Sequence, residues 1–181
     1  LGRQVEKGKL SAQEATETLG RIKGAHDSAA LAAADFVVEA VSEKLELKRR
    51  VLESVESSAR DGIILASNTS SISITKLAAG TGRPDRFVGM HFMNPVPVMP
   101  LVELIPGLQT SEATVQETRS LADRLGKQTV QSDDQPGFIV NRILMPMINE
   151  AVTALSEGLG RAEDIDAAMK LGTNQPMGPL E

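Results

Sequence analysis

His91 closes a short apolar run, Phe87-Val88-Gly89-Met90, that has the length and residue types of a β-strand. A neutral imidazole at such a strand end accepts a proton from a hydroxyl and, once charged, returns it. Taken alone, the residue reads equally well as a histidine that simply ends a strand. Glu103 changes that reading. It interrupts a second apolar run, Leu101-Val102-Glu103-Leu104-Ile105, on the face shared by Leu101 and Ile105. A carboxylate buried there needs a partner. His91 supplies one, because a carboxylate on one ring nitrogen fixes the tautomer and offsets the imidazolium charge. The alternative is a glutamate facing outward on an edge strand.

Other polar residues fall where they can serve such a pair. Ser70 belongs to the uncharged stretch Ser67-Asn68-Thr69-Ser70-Ser71, which follows the strand-like Ile63-Ile64-Leu65-Ala66. Hydroxyl and carboxamide donors at Ser70 and at Asn141, near the start of a later helix, hold and polarise an oxygen without adding charge. Against this, Ser70 also suits a helix N-cap, as do its neighbours, and Asn141 suits a polar first turn. Glu43 and Lys48 read, from sequence alone, as solvated charges in the turn and helix after an apolar run at 35–41. His26, beside Asp27 in a loop, has no motif around it. Met93, Met99 and Met145 read as ordinary packing or as the lining of an acyl pocket. No cluster of His, Asp or Glu has metal-ligand spacing, so no metal is expected.

The elements that must position these residues follow from periodicity. With 181 residues the chain can bury one core, or one core and a small second domain. Four Phe and no Tyr or Trp leave that core to Val, Ile, Leu, Ala and Met. Helical spacing covers 3–23, with a break near Gly8 and a capping box from Ser11 to Glu14. Strands are predicted at 35–41, 63–66, 87–90, 101–105 and 128–131, and helices at about 43–60, 72–79 and 111–126. The alternation predicts an α/β fold with a parallel, doubly wound sheet. After Pro136-Gly137 two helical segments follow, 138–159 and 161–171, with no strand. The expected domains are therefore 1–136 and an all-helical 137–181.

A net charge of −5 argues against a nucleic-acid or anionic-membrane partner. The uncharged stretches are too polar, or too interrupted by Pro95, Pro97 and Pro100, to span a bilayer. The lack of cysteine removes disulfides, thiolate metal sites and a cysteine nucleophile together. It fits a reducing compartment, and the cytoplasm is the expected location.

Four segments in order, ASNTSS at 66–71, HFMNPVPVMPLVE at 91–103, PGFIVNR at 136–142 and DIDAAMKLGTNQPMGP at 164–179, resemble the 3-hydroxyacyl-CoA dehydrogenase family, most nearly its 3-hydroxybutyryl-CoA enzymes. The resemblance implies an incomplete Rossmann-type sheet followed by the start of an all-helical domain that also forms a homodimer. It implies NAD- or NADP-dependent reversible oxidation of a short-chain 3-hydroxyacyl-CoA to the 3-oxoacyl-CoA, in fatty-acid or butanoate metabolism, with NAD favoured. It assigns a His–Glu dyad to His91 and Glu103, substrate contacts to Ser70 and Asn141, and cofactor contacts to Ser70, Glu43 and Lys48. Asn68 and Asn94 are weaker candidates for the nicotinamide rim. The basic residues Arg3, Lys7, Lys9, Arg21 and Lys23 would face the CoA phosphates, a mixed-charge solvated face being the alternative.

In that family a first strand, a Gly-rich turn and a second strand precede the helix with which this sequence opens. No G-x-G-x-x-G occurs among the 181 residues, and Gly80-Thr81-Gly82 runs into Arg83-Pro84 instead of opening a helix. The expectation is an unpaired edge in mid-sheet and a segment that is unstable or inactive by itself. Two other readings are a dehydrogenase of a non-CoA 3-hydroxy acid and a non-catalytic relative on the same scaffold.

Overall fold

The computed structural model describes residues 1–181. Five strands form one sheet in the order β1 (Phe36–Glu39), β2 (Ile64–Ser67), β3 (Phe87–Phe92), β4 (Leu101–Pro106) and β5 (Gln128–Gln131). Neighbours run parallel except β3 and β4, which are antiparallel. The expectation of an all-parallel sheet is corrected at this one joint, for a physical reason. A parallel crossover needs about a dozen residues or more, and only residues 93–100 link β3 to β4. The chain therefore turns straight back. That reversal sets His91 directly opposite Glu103 in the ladder.

Side chains alternate across the sheet, and the core divides accordingly. Ile63, Leu65, Phe87 and Ile105 pack with Leu52, Val55, Ile74 and Leu77 on one face. Ile64, Ala66, Val88, Met90, Val102 and Leu104 pack with Ala122 on the other. Helices α3 (Leu45–Ser58) and α4 (Ile74–Ala78) cover the first face, and α5 (Glu112–Arg124) covers the second. Both faces are thus wound by helices, as the alternation of elements predicts. Gly89 marks a tight joint within the sheet. A Cβ there would meet Ile105 Cβ at 2.8 Å and Ile74 Cδ1 at 2.9 Å, so only glycine lets α4 and β4 close on β3.

The leading helical region divides at its predicted break into α1 (Gly2–Glu6) and α2 (Ala12–Gly20), the latter held by the Ser11–Glu14 capping box. It packs lightly, with only Ala15 buried. The strand β1 has β2 on one side and no strand on the other.

After β5 the chain enters the helical part through an anchored turn. The Asp134 carboxylate accepts the Ser73 hydroxyl and the Ile74 and Thr75 N–H groups, each at 2.8 Å, at the start of α4. Burial opposes the ionisation of Asp134, but these donors outweigh it and hold its pKa below the ordinary carboxylate value. Gly137 and Phe138 then take left-handed backbone angles, φ 81° and 50°. For Phe138 that conformation is strained. The pair swings the chain into α6 (Val140–Ser156), which α7 (Ala162–Thr173) follows. No helix is long and apolar enough to cross a membrane.

Candidate active site

His91 is 5% exposed and Glu103 is fully buried. A carboxylate only accepts, so His91 Nδ1 carries a proton and donates it to Glu103 Oε2 at 2.7 Å. The outward-facing alternative for Glu103 does not describe this structure. Its second oxygen, Oε1, accepts the N–H groups of Ile139 at 3.0 Å and Val140 at 2.9 Å, at the start of α6. The Phe138 ring meets the imidazole edge-on, with centroids 5.4 Å apart and planes at 62°. Three consecutive residues, Phe138 in the left-handed turn and Ile139 and Val140 just past it, therefore touch both members of the pair.

With Nδ1 protonated, Nε2 is an acceptor and lies 3.0 Å from Ser70 Oγ. Ser70 does not cap α4. That position belongs to Ser73, whose side chain accepts the Lys76 N–H. What holds Ser70 is Glu43. Its Oε1 accepts the backbone N–H of Ser70 at 3.0 Å, the backbone N–H and hydroxyl of Ser71 at 3.1 Å each, and the Thr69 hydroxyl. Partial burial opposes the charge on Glu43, but these donors and Lys48 prevail, leaving its pKa below the ordinary value.

Asn141 sits in the first turn of α6 and lines, with Ser70, Ser71, Pro136 and Gly137, one cleft of about 520 Å³ between the sheet and the helical part. Met145 lines the same cleft, whereas Met99 is exposed on the proline-rich loop. Asn68 ties strands together: its N–H donates to the Glu39 carbonyl at 2.8 Å and its Oδ1 accepts the Phe92 N–H at 2.8 Å. Only its amide NH₂ is left for a ligand. Asn94 stands exposed at the start of the proline-rich loop, and His26 is exposed in a loop far along the chain from the pair. No group of three or more His, Asp or Glu is placed to hold a metal.

Lys48 is not the solvated helix charge that its sequence context suggests. It is 1% exposed, and its Nζ reaches Glu39 Oε1 at 3.0 Å, the Val41 carbonyl at 3.1 Å and Glu43 Oε2 at 3.3 Å. Its route to a ligand runs through Glu43. Glu39 and Phe138 are residues that sequence reasoning passed over. Glu39 gives the same signal as Glu103, an acid interrupting an apolar run. Phe138 gives none, since its left-handed φ belongs to residues that are usually glycine.

The site thus holds an imidazole whose N–H is turned to a carboxylate, which leaves Nε2 free as a base, together with a hydroxyl already against that nitrogen and a carboxamide on the same cleft. Chemically, such an arrangement can take a proton from a hydroxyl, hold the resulting positive charge beside a carboxylate, and steady the oxygen left behind.

A family model described as 3-hydroxyacyl-CoA dehydrogenase, NAD binding domain, matches residues 1–135, and one described as 3-hydroxyacyl-CoA dehydrogenase, C-terminal domain, matches residues 137–181. The 3-hydroxybutyryl-CoA dehydrogenase of Bradyrhizobium diazoefficiens is 52% identical over 181 residues, covering 100% of this chain and 62% of that protein. Human mitochondrial hydroxyacyl-coenzyme A dehydrogenase is 46% identical over 166 residues, 91% of this chain and 53% of its own length. The crystal structure of (S)-3-hydroxybutyryl-CoA dehydrogenase from Ralstonia eutropha superposes with a TM-score of 0.95 at 52% identity, covering 98% of this chain and 63% of that one. The chain spans less than two thirds of the length of each of these relatives.

Proposed function

The chain belongs to the 3-hydroxyacyl-CoA dehydrogenase family, and on that premise we propose that the protein carrying it reversibly oxidises a short-chain 3-hydroxyacyl-CoA, of the 3-hydroxybutyryl-CoA class, to the 3-oxoacyl-CoA. The observation that carries this reading is His91 bridging Glu103 and Ser70 beside a cleft that Asn141 also lines.

A nicotinamide dinucleotide, when bound, supplies the hydride exchange at substrate C3. The residues at the carboxyl ends of β1, β2 and β3 fit the nicotinamide end of such a molecule. There Glu43 offers a part-exposed carboxylate for a ribose hydroxyl, and Asn68 a free amide donor. We take NAD over NADP as the working cofactor. The phosphate-cradling glycine turn is not among these 181 residues.

In the oxidative direction His91 Nε2 takes the proton of the substrate 3-hydroxyl as Ser70 Oγ turns from the imidazole to the same oxygen. Glu103 stays on Nδ1 and offsets the imidazolium charge, which in the reverse direction returns its proton. Asn141, reaching in from α6, donates to the substrate on the far wall of the cleft. We place the boundary between the two units at Pro136–Gly137. The helical unit is proposed to dimerise, because α6 and α7 turn Ile143, Val152, Leu155 and Leu171 outward, at 64%, 51%, 39% and 87% exposure. The cytoplasm remains the proposed location.

The test is acetoacetyl-CoA-dependent oxidation of NADH and NADPH by the full-length protein, wild type beside His91→Ala. Turnover with NADH that collapses in the variant supports the reaction, the base and the cofactor together. A folded, dinucleotide-binding protein with no turnover overturns the reading in favour of a non-CoA substrate or a binding role.

A further inference from the structure

Glu39 and Lys48 are a buried ion pair that the proton-transfer scheme above does not use. They are 3% and 1% exposed. Lys48 Nζ donates to both Glu39 oxygens, at 3.0 and 3.2 Å, and to the Val41 carbonyl at 3.1 Å. Glu39 is fixed in turn by the Ser67 hydroxyl at 2.6 Å and the Val41 N–H at 2.6 Å. Every partner of this acid is therefore internal. A buried pair of this kind contributes little net stability, because desolvation offsets the attraction. Its value lies in what it holds.

What it holds is Glu43. That side chain is 41% exposed, and left to itself it would sample solvent. Lys48 pins its Oε2 at 3.3 Å, which leaves Oε1 aimed at the turn carrying Thr69, Ser70 and Ser71. Ser70 then presents its hydroxyl to His91 Nε2 at 3.0 Å. One unbroken line of contacts runs from Glu39 through Lys48, Glu43 and the Ser70 backbone to the imidazole.

We propose that Glu39 is a positioning residue of the hydride-transfer site: acting through Lys48 and Glu43, it sets where the Ser70 hydroxyl stands against His91. Glu39 touches neither substrate nor cofactor. Its effect reaches the reaction only through Ser70, so the proposal rests on the dehydrogenase reading above.

The experiment is a double-mutant cycle in the full-length protein, comparing wild type, Glu39→Gln, Ser70→Ala and the double variant by steady-state NADH oxidation with acetoacetyl-CoA. Glu39→Gln is expected to lower kcat about tenfold, a fraction of the roughly 10²–10³ that one oxygen-holding donor supplies, with KM for the acyl-CoA changed less than about twofold. In the Ser70→Ala background the same substitution is expected to change kcat by less than about twofold, because its target is gone. An equal fold-loss in both backgrounds would overturn the proposal and make Glu39 a merely structural residue. The ¹⁵N resonance of His91 Nε2 provides a readout that needs no turnover. It should move in Glu39→Gln in the same direction as in Ser70→Ala, and an unmoved resonance would also overturn the proposal. If the wild type is inactive the dehydrogenase reading fails, while this resonance still decides the positioning claim. If Glu39→Gln does not fold, Glu39→Gln/Lys48→Met replaces it in the cycle. Removing both charges together avoids leaving one buried and unpaired.

Discussion

Glu103 has two oxygens engaged in two different tasks. Oε2 orients the base, and Oε1 holds the start of α6. A carboxylate does both because all its lone pairs accept; a carboxamide cannot, since one of its two heads only donates. In Glu103→Gln either the NH₂ confronts His91 Nδ1–H or it confronts the Ile139 and Val140 N–H groups. The expected outcome is a fall in kcat of about 10²–10⁴-fold with KM little changed, from loss of the fixed tautomer and of the charge beside the imidazolium. Steady-state kinetics on the full-length protein checks it, and near-wild-type kcat would remove Glu103 from the mechanism. Asn141→Ala probes the opposite wall. Removing one neutral donor is expected to cost about 10²–10³ in kcat, and the damage should be in turnover more than in protein stability, because Asn141 lines the cleft instead of filling the core.

Among elements, the join of α4 to the sheet sets how closely the Ser70 turn and the dyad strands approach. Gly89→Ala would drive a Cβ into Ile105 and Ile74 at under 3 Å, so β4 or α4 must shift. The expected cost is about 1–3 kcal/mol, read as a lower melting temperature together with a loss of activity, because β4 carries Glu103. Asp134 anchors the other end of this joint. Its pKa is lowered in the folded protein, so its contribution is fully present above the unfolded value near ~3.9. That contribution is lost as pH falls through the lower folded value. Asp134→Asn should therefore melt below wild type at neutral pH, by about 1 kcal/mol of lost cap, and the gap should close in the acid range. A gap that stays constant down to pH 2 would show that the charge of Asp134 is not what matters.

These elements also show what the sequence makes legible. Strand and helix positions followed from periodicity because β1 to β4 are short, largely apolar runs and α3 to α5 each bury one stripe. The dyad was legible for the same reason: His91 and Glu103 are polar exceptions in two apolar strands. The reversal at β4 escaped the expectation of a parallel sheet, because alternation alone hides strand direction and only the short link at 93–100 betrays it. Glu39 carried the Glu103 signal and was overlooked because no histidine stood opposite to complete it. The burial of Lys48 was illegible in principle. A lysine on a charged helix is normally solvated, and only the approach of Glu39 from another element draws it inward. Phe138 was illegible because its role follows from a backbone angle that its residue type seldom adopts.

Across the whole molecule, the base is completed by residues from both sides of the 137–138 turn. The sheet supplies His91 and Glu103, and the turn after β2 supplies Ser70. The segment entering α6 supplies the Phe138 ring, the two N–H groups on Glu103, and Asn141 in the cleft. The left-handed angle at Phe138 costs about 1–3 kcal/mol, which the burial of its ring against the core and His91 offsets. Glu103 thus joins the imidazole on the sheet to the start of α6. Two substitutions separate the consequences. His91→Ala removes the base but leaves Oε1 of Glu103 holding α6, so the Ile139 and Val140 amides should exchange with deuterium at close to the wild-type rate. Glu103→Leu removes the acceptor and strands two N–H groups, at about 1–3 kcal/mol for each one left buried. Those amides should then exchange faster by one to several orders of magnitude, at about 1.4 kcal/mol per tenfold. Wild-type exchange at 139 and 140 in Glu103→Leu would mean that the helical unit is held by other contacts. The same acceleration in His91→Ala would mean that the imidazole, not the carboxylate, fastens the two parts together.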